Sequence, residues 1–350
     1  MRLFTLIVMV FVLSTSVGCG EKSKKPYANI YVENANKLEL GEPLRADINI
    51  KKRGGTIELV KVYLNSELIR ETKEERFIVN VDKLTKLGAN IISVDIIKTD
   101  GKENNIRRYL TVLSNVSPKK LEYTVKRELE HKREFYTQGL EYHDGKILES
   151  TGEHGESGIF LLDKNAKSIM KEVRLNDKYF GEGVSVLNNK IYQLTWQSKK
   201  GFVYNAEDFS LVDSFALPSD EGWGITNDGE HLIISDGTCH IFFLSPNDFK
   251  VAKIISIYND KGKVEYLNEL ELVGDFLYAN VYTTNSILKI DIRTGRVLGY
   301  LDLRELASEV YGTAEYPLDV LNGIAWNKEQ KTMLVTGKRW PKYFELELAE

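Results

Sequence analysis

A short phrase recurs five times in the second half of the chain. Each copy begins with a polar or aromatic residue, which is usually followed by glycine. An aliphatic residue comes next, and then two strand-like runs separated by a turn. The copies begin at Gln138, Glu182, Trp223, Asn268 and Asn322. Their second residues lie at 139, 183, 224, 269 and 323, so the steps are 44, 41, 45 and 54 residues. This period is typical of propeller blades, and the sequence therefore predicts an all-β, five-bladed β-propeller.

The first residues of the five copies occupy equivalent places if the repeats fold alike. They would then meet at one end of the central channel of the propeller, and a ring of polar and aromatic groups there predicts a binding site. Glu182 stands out because Gly181 and Gly183 flank it. Glycine admits close neighbours and unusual backbone angles, so this glutamate is expected to face a cavity.

The amino-terminal residues predict export. Residues 1–19 combine a basic start, a short apolar run and a small-residue end, which is the pattern of a signal peptide. The run Ser16–Cys19 resembles a bacterial lipobox, which implies cleavage before Cys19 and a lipid on its thiol; ordinary signal cleavage is the alternative. We therefore expect an exported bacterial lipoprotein of the periplasm or cell envelope, held to the membrane through Cys19. Residues 20–26 form its polar tether.

Charge and cysteine content exclude several classes. The formal net charge is −4, without a block of basic residues, which argues against nucleic acid as a partner. The two cysteines are Cys19 and Cys239, so a lipid on Cys19 leaves no intramolecular disulfide. The five histidines lack metal-ligand spacing, and surface positions are the expectation for them. No cofactor or metal is predicted, and we expect a monomer.

Residues 27–114 alternate apolar and polar positions in six or seven short runs, which predicts a small β-sandwich. The run from Gly88 to Gly101 resembles the late strands of bacterial immunoglobulin-like domains, and a spacer role is expected for this domain. Residues 115–120 are the predicted linker, and 121–350 the predicted propeller. Within it, Leu121–Leu129 reads as a strand that completes the short last blade, so that no edge stays unpaired.

Ten motifs after residue 121 resemble the plant and bacterial type of glutaminyl-peptide cyclotransferase, in order and with similar spacing. They lie at Phe135–Leu140, Glu149–Gly152, Phe180–Gly183, Leu194–Trp196, Gly222–Ile225, Ile234–Gly237, Leu267–Glu271, Ala279–Tyr282, Leu321–Trp326 and Val335–Pro341. The resemblance implies a metal-independent enzyme, an acyltransferase that converts the amino-terminal glutamine of a peptide or protein into pyroglutamate and releases ammonia. Residues 1–120 lie outside it.

The resemblance also assigns site residues. The family positions are matched by Gln138, Glu182, Trp196, Trp223, Asn268, Tyr282 and Lys338. The position of Tyr282 is typically tryptophan in the family, which puts the width of the pocket in question. Glu182, Lys338 and Asn268 are the predicted catalytic residues, and the other four are predicted to bind substrate.

The reaction requires such a set. The α-amine of the substrate attacks its own side-chain amide, so no protein nucleophile is needed. A carboxylate with a raised pKa, here Glu182, can move the protons. Charge on the amide oxygen needs donors, for which Lys338, Asn268 and the indole nitrogen of Trp223 are candidates. Gln138 is expected to fix the substrate amide or main chain.

Each assignment has an alternative. In one alternative, Glu182 and Lys338 form a structural ion pair. In another, Trp196 and Trp223 are core residues. Asn322 is expected to be structural, and Glu149 to line the channel or bind the substrate amine. The alternative function is a non-catalytic propeller that binds an exported peptide or glycan. A calcium-dependent lactonase would need axial ligands, which only Glu182, Asn268 and Asn322 offer.

Overall fold

The computed structural model describes residues 23–312 and 319–349. These residues are almost entirely β-structure, and the helix found among them is α1 (Arg304–Gly312). No helix in this part of the chain is long and apolar enough to cross a membrane. The predicted signal peptide and the predicted lipidation of Cys19 lie outside the described residues.

The described chain divides into two compact units. One contains Arg45–Asn80 and Ile91–Arg108 together with the described residues up to Glu33. The other contains Asn34–Leu44, Val81–Asn90 and the described residues from 109 onward. The units interleave in sequence, so their limits differ from a single cut at residues 115–120, and the predicted domain boundaries stay predictions.

The first eight strands form two sheets. They are β1 (Tyr27–Tyr31), β2 (Leu38–Glu39), β3 (Leu44–Lys51), β4 (Ile57–Leu64), β5 (Glu67–Thr72), β6 (Arg76–Val81), β7 (Gly88–Lys98) and β8 (Glu103–Leu113). One sheet has the order β1-β3-β6 and the other β2-β8-β7-β4-β5. Their apolar residues alternate, as in β3, where Leu44, Ala46, Ile48 and Ile50 are buried. The same alternation is the pattern from which six or seven short strands were predicted, and the structure has eight.

The remaining strands begin with β9 (Lys119–Leu121) and β10 (Tyr123–Glu130) and continue as five antiparallel sheets. The first two sheets hold β11 (Thr137–His143), β12 (Lys146–Thr151), β13 (Gly158–Leu162), β14 (Ile169–Arg174), and β15 (Gly181–Leu187), β16 (Lys190–Thr195), β17 (Lys200–Asn205), β18 (Leu211–Ala216). The third holds β19 (Ile225–Asn227), β20 (Leu232–Ser235), β21 (His240–Leu244) and β22 (Val251–Ser256). The last two hold β23 (Leu267–Val273), β24 (Phe276–Val281), β25 (Ser286–Asp291), β26 (Val297–Asp302), and β27 (Leu321–Asn327), β28 (Thr332–Gly337), β29 (Lys342–Leu348).

Strand β10 completes the fifth sheet. It pairs antiparallel with β29, with Leu129 opposite Tyr343, and the sheet order is β10-β29-β28-β27. The predicted closing strand is therefore confirmed. Strand β9 was not predicted: it lies in and just after the predicted linker and pairs in parallel with β26, at the edge of the fourth sheet.

The first strands of the five sheets are the innermost ones. Each contacts the first strand of the next sheet, and β27 contacts β11. The strands approach closely: a Cβ at Gly183 would lie 2.7 Å from the backbone nitrogen of Ile225, and one at Gly224 only 2.0 Å from the oxygen of Asn268. Side chains would not fit there, which explains why glycine follows the first residue of most repeats.

Hydrophobic clusters fill the space between neighbouring sheets. Leu148 of the first sheet and Ile191 of the second are buried in one cluster, and Leu194 and Ile234 join the second and third sheets in another. Each sheet therefore buries its apolar residues against the neighbouring sheets. This packing keeps the innermost strands, and the first residue of each repeat, in fixed positions.

Candidate active site

One cavity of about 180 Å³ collects the predicted site residues. It is lined by Tyr136, Gln138, Phe180, Glu182, Trp196, Trp223, Asn268, Tyr282 and Lys338. All seven residues that the sequence assigned to the site are among them. The structure thus brings together residues spread over 200 positions, from 138 to 338.

The topology explains this convergence. Gln138, Glu182 and Asn268 each stand second in an innermost strand, and Trp223 lies just before β19. The other three, Trp196, Tyr282 and Lys338, each directly follow the second strand of their sheet. Because the first and second strands run antiparallel, the end of one lies beside the start of the other.

Glu182 is the buried acid of the cavity. Only 5% of its surface is exposed, and burial raises its pKa well above the ordinary value. The charge of Lys338 opposes this rise, and that of Glu221 adds to it. Gln138 Nε2 donates a hydrogen bond of 3.1 Å to Glu182 Oε1. A buried carboxyl group whose pKa is raised in this way can serve as both proton acceptor and proton donor.

Lys338 lies beside aromatic rings. Its Nζ is 4.8 Å from the ring centre of Tyr136 and 5.0 Å from that of Tyr282. Burial lowers its pKa, while the charges of Glu182 and Asp319 act in the opposite direction. Within the described residues no ion pair joins Lys338 to Glu182. The arrangement does not show the structural ion pair that was the alternative for Glu182.

Asn322 supports the site from behind. It is buried and does not line the cavity; its Nδ2 donates to the backbone oxygen of Thr137 at 3.1 Å and to Gln138 Oε1 at 3.3 Å. This second bond leaves the Nε2 of Gln138 directed at Glu182. The expectation that Asn322 is structural agrees with these contacts.

Asn268 has an unused acceptor. Its side chain is buried, and its Oδ1 has no hydrogen-bond partner among the described residues. Its backbone oxygen accepts a bond of 2.8 Å from Ser235 Oγ, which in turn accepts one from the nitrogen of Gly224. The backbone is therefore fixed while the side-chain amide remains available for a ligand.

The role predicted for the indole nitrogen of Trp223 does not agree with the structure. That N–H is donated to Glu221 Oε2 at 3.0 Å, and the N–H of Trp196 goes to the same oxygen at 3.0 Å. The indoles remain walls of the cavity, rather than core residues, and Trp196 is 36% exposed. Of the three donors predicted for the substrate oxygen, Lys338 and Asn268 remain.

Three residues at the cavity were missed. Tyr136 and Phe180 line it, and Glu221 binds two of its walls. Each lies two positions before the first residue of its repeat, ahead of the innermost strand of its sheet. The repeat register therefore contained a second row of candidates that went unused.

Glu149 and His131 belong to a buried network instead. Glu149 accepts hydrogen bonds from Tyr343 OH and, at 2.6 Å, from Thr137 Oγ1, and its Oε1 is 3.0 Å from His131 Nε2. Glu149 does not line the cavity. The expectation of a surface position is wrong for His131, which is 5% exposed because it fills the space beside Phe135 and Tyr343.

Across the part of the chain that the structure describes, no group of three or more His, Cys, Asp or Glu side chains is arranged to hold a metal ion. Cys239 is a buried free thiol.

Three comparisons with known proteins indicate one family. The family model for glutamine cyclotransferase matches residues 101–348. Glutaminyl-peptide cyclotransferase of Arabidopsis thaliana is 35% identical over 231 residues, which cover 65% of this chain and 72% of that protein. The crystal structure of Myxococcus xanthus glutaminyl cyclase superimposes with a TM-score of 0.62 and 31% identity, over 66% of this chain and 98% of that one.

Proposed function

Because this chain belongs to the glutamine cyclotransferase family, we propose that the cavity around Glu182 is where it forms pyroglutamate. The chain is a glutaminyl-peptide cyclotransferase, an enzyme that converts an amino-terminal glutamine into pyroglutamate with release of ammonia. The family match sets aside the non-catalytic binding propeller. What supports the location is that the seven residues matched to family positions line one cavity together, and that one of them, Glu182, is a buried acid.

The first step of the proposed mechanism is orientation. The cavity is small enough to fold the glutamine side chain back, so that the α-amine approaches the amide carbon. Nucleophile and electrophile belong to one molecule, and fixing their geometry removes much of the entropic barrier. The aromatic rings of Trp196, Trp223 and Tyr282 supply the walls that hold the side chain.

The second step is proton transfer. The carboxylate of Glu182 takes a proton from the α-ammonium, and the freed nitrogen bonds to the amide carbon. In the tetrahedral intermediate the amide nitrogen takes this proton back from Glu182 and leaves as ammonia while the carbonyl re-forms. The ring nitrogen gives its second surplus proton to the regenerated carboxylate of Glu182, which passes it to solvent or to the departing ammonia. The raised pKa of Glu182 suits this exchange, because a group that both accepts and donates protons is most effective when its pKa lies near the pH at which the enzyme works.

The third element is stabilisation of the negative oxygen. Lys338 carries the positive charge inside the cavity, and Asn268 offers the amide N–H of its side chain. In a buried site such donors act more strongly than in water. Gln138, held by Asn322, positions Glu182 and contacts the substrate amide in this scheme.

The fold around the site supports a five-bladed β-propeller. In each of five consecutive sheets the strands follow one another outward from the innermost strand, and the innermost strands form a closed series. Strand β10 supplies the outer strand of the last sheet, and β9 adds an edge strand to the fourth. We propose an immunoglobulin-like sandwich for β1–β8, on the basis of its two sheets and its alternating pattern. Its role as a spacer is supported by the position of the cavity, whose lining begins only at Tyr136.

For the cell, we propose an exported lipoprotein of the bacterial periplasm or envelope, anchored through Cys19, acting as a monomer on peptides or proteins that begin with glutamine. The support is the sequence of residues 1–26 alone. Activity should need no added cofactor, and nucleic acid is not an expected partner.

The direct test is ammonia release from a glutamine-initiated peptide by the purified protein, with mass spectrometry of the product. The same peptide with an acetylated amino terminus is the control, because it lacks the nucleophile. Adding a chelator tests metal independence. We expect ammonia from the peptide with a free amino terminus and not from the acetylated peptide. No release from the free peptide, or equal release from the acetylated one, would contradict the proposal.

A further inference from the structure

The carboxylate of Glu221 accepts hydrogen bonds from both tryptophans that line the cavity. Glu221 Oε2 accepts the indole N–H of Trp196 at 3.0 Å and that of Trp223 at 3.0 Å. Its other oxygen accepts Gln197 Nε2 at 3.2 Å. Charge-assisted bonds of this kind are stronger than neutral ones, so Glu221 restricts both rings.

The two rings come from different sheets. Trp196 follows β16 of the second sheet, whereas Trp223 precedes β19 of the third. The backbone of Glu221 is itself fixed, since its oxygen accepts a bond of 2.7 Å from Ser219 Oγ. The next residue, Gly222, donates its N–H towards the oxygens of Thr195 and Trp196, each at 3.2 Å. Glu221 therefore lies where the two sheets meet and touches a wall from each.

The rings continue into further aromatic contacts. Trp196 packs edge-on against Phe180 at 5.6 Å between ring centres, and Trp223 packs likewise against Tyr282 at 5.6 Å. All four of these residues line the cavity. Glu221 thus joins the two halves of an aromatic arc around the pocket.

We propose that Glu221 is a positioning residue that sets the shape of the substrate pocket by fixing Trp196 and Trp223. The inference rests on the proposed function of the cavity. A direct contact with the substrate ammonium is the less suitable role, because three N–H groups already occupy a carboxylate that offers about four acceptor directions. The pocket therefore takes the substrate class of the family, and Glu221 affects how tightly the pocket binds that substrate.

The experiment compares Glu221→Ala and Glu221→Gln with Asp220→Asn. Asp220 is the neighbouring carboxylate, highly exposed and paired with Lys199, so it is a matched control for charge. We expect Glu221→Ala to raise KM by about tenfold or more, the scale of losing bonds to a charged acceptor, with a smaller change in kcat. Tryptophan fluorescence and its quenching by acrylamide should change in Glu221→Ala and stay unchanged in Asp220→Asn.

A double-mutant cycle isolates the mechanism. Trp223→Phe keeps an aromatic ring but has no N–H, so Glu221→Ala should raise KM less in that background than in the wild type. An equal rise in both backgrounds, or an unchanged KM and fluorescence in Glu221→Ala, would overturn the proposal. Fluorescence does not depend on turnover, so a wild-type protein that releases no ammonia would refute the proposed function while the ring positions remained testable.

Discussion

The side-chain nitrogen of Gln138 donates a hydrogen bond of 3.1 Å to Oε1 of Glu182, and Asn322 determines which way that amide faces. With Asn322 Nδ2 on Oε1 of Gln138, the amide group has its nitrogen directed at the acid. The carboxyl group that we propose as the proton carrier is therefore oriented, through Gln138, by a residue that does not line the cavity.

Asn322→Ala should lower kcat/KM by about tenfold and destabilise the protein by about 1–2 kcal/mol, because it removes two buried hydrogen bonds. Steady-state kinetics and a denaturant melt measure the two effects. The exposed Asn247→Ala is the control. Unchanged kinetics in Asn322→Ala would show that Gln138 does not need this support.

Glu182→Gln should reduce turnover by at least about 10²–10⁴-fold, because the amide keeps the size of the acid but cannot exchange protons. Folding should survive, since no ion pair with Lys338 is lost. A kinetic assay and a thermal melt on the same sample check both points. Near-normal turnover in a protein that melts much earlier would assign Glu182 a structural role.

Tyr282→Trp should be tolerated, because the ring would still lie between Lys338 and Trp223. Tyr282→Ala should weaken substrate binding by about 1–3 kcal/mol, the scale of removing one large buried side chain. The Michaelis constant of each variant measures this. If KM and kcat of Tyr282→Ala equal those of the wild type, the residue is not part of the site.

The contribution of Glu141 to the stability of the protein should fall as the pH rises from about 4.5 to 7. Loss of contact with water raises the pKa of Glu141 from 4.5 to about 7, although the N–H of Val186, 2.9 Å away, opposes the rise. A group with a raised pKa in the folded state stabilises fully below its unfolded pKa, and this contribution is lost as the pH passes the folded one.

The melting temperature of Glu141→Gln should therefore fall less over that pH range than the melting temperature of the wild type. Thermal melts at several pH values provide the measurement. The exposed Glu329→Gln should follow the wild type. Parallel wild-type and Glu141→Gln curves would show that Glu141 does not titrate there.

A shortened protein that begins at Ser117 should fold and remain active, because it keeps β9, β10 and every residue of the cavity. It should melt earlier, because it loses the packing of Gly88 near Tyr258 and the bond of 3.2 Å from Ser114 N to the oxygen of Asn259. A protein that begins at Phe135 should fail to fold. Equal melting of both would contradict the role of β10.

The repeat register predicted much of this site. Equivalent first residues in each repeat led directly to Gln138, Glu182, Trp223 and Asn268, because strand periodicity places them alike. Residues that follow the second strands, such as Lys338, entered only through the family resemblance, since loops carry no periodic signal. Glu221 was missed because only the first residue of each repeat was taken as a candidate, although its place two positions before Trp223 repeats that of Phe180 before Glu182.

The strand patterns of residues 27–113 were predictable because one face of each strand is buried. The three residues of β9 were not, because so short a strand has too few positions to show alternation. Its pairing with β26 depends on a neighbour 180 residues away, as in Gly299 opposite Lys119. Contacts of that range follow from the tertiary fold rather than from local pattern.

The pairing of β10 with β29 fixes the time at which the protein can finish folding. Arg127 and Glu345, which share a bond of 2.8 Å, are 218 residues apart. At translation rates of about 5–20 residues per second, β10 leaves the ribosome roughly 10–40 s before its partner. Throughout that interval a nascent chain exposes an unpaired strand edge that other chains can extend. A premature stop just before β29 would make this exposure permanent, although the mutant protein would contain every residue of the cavity.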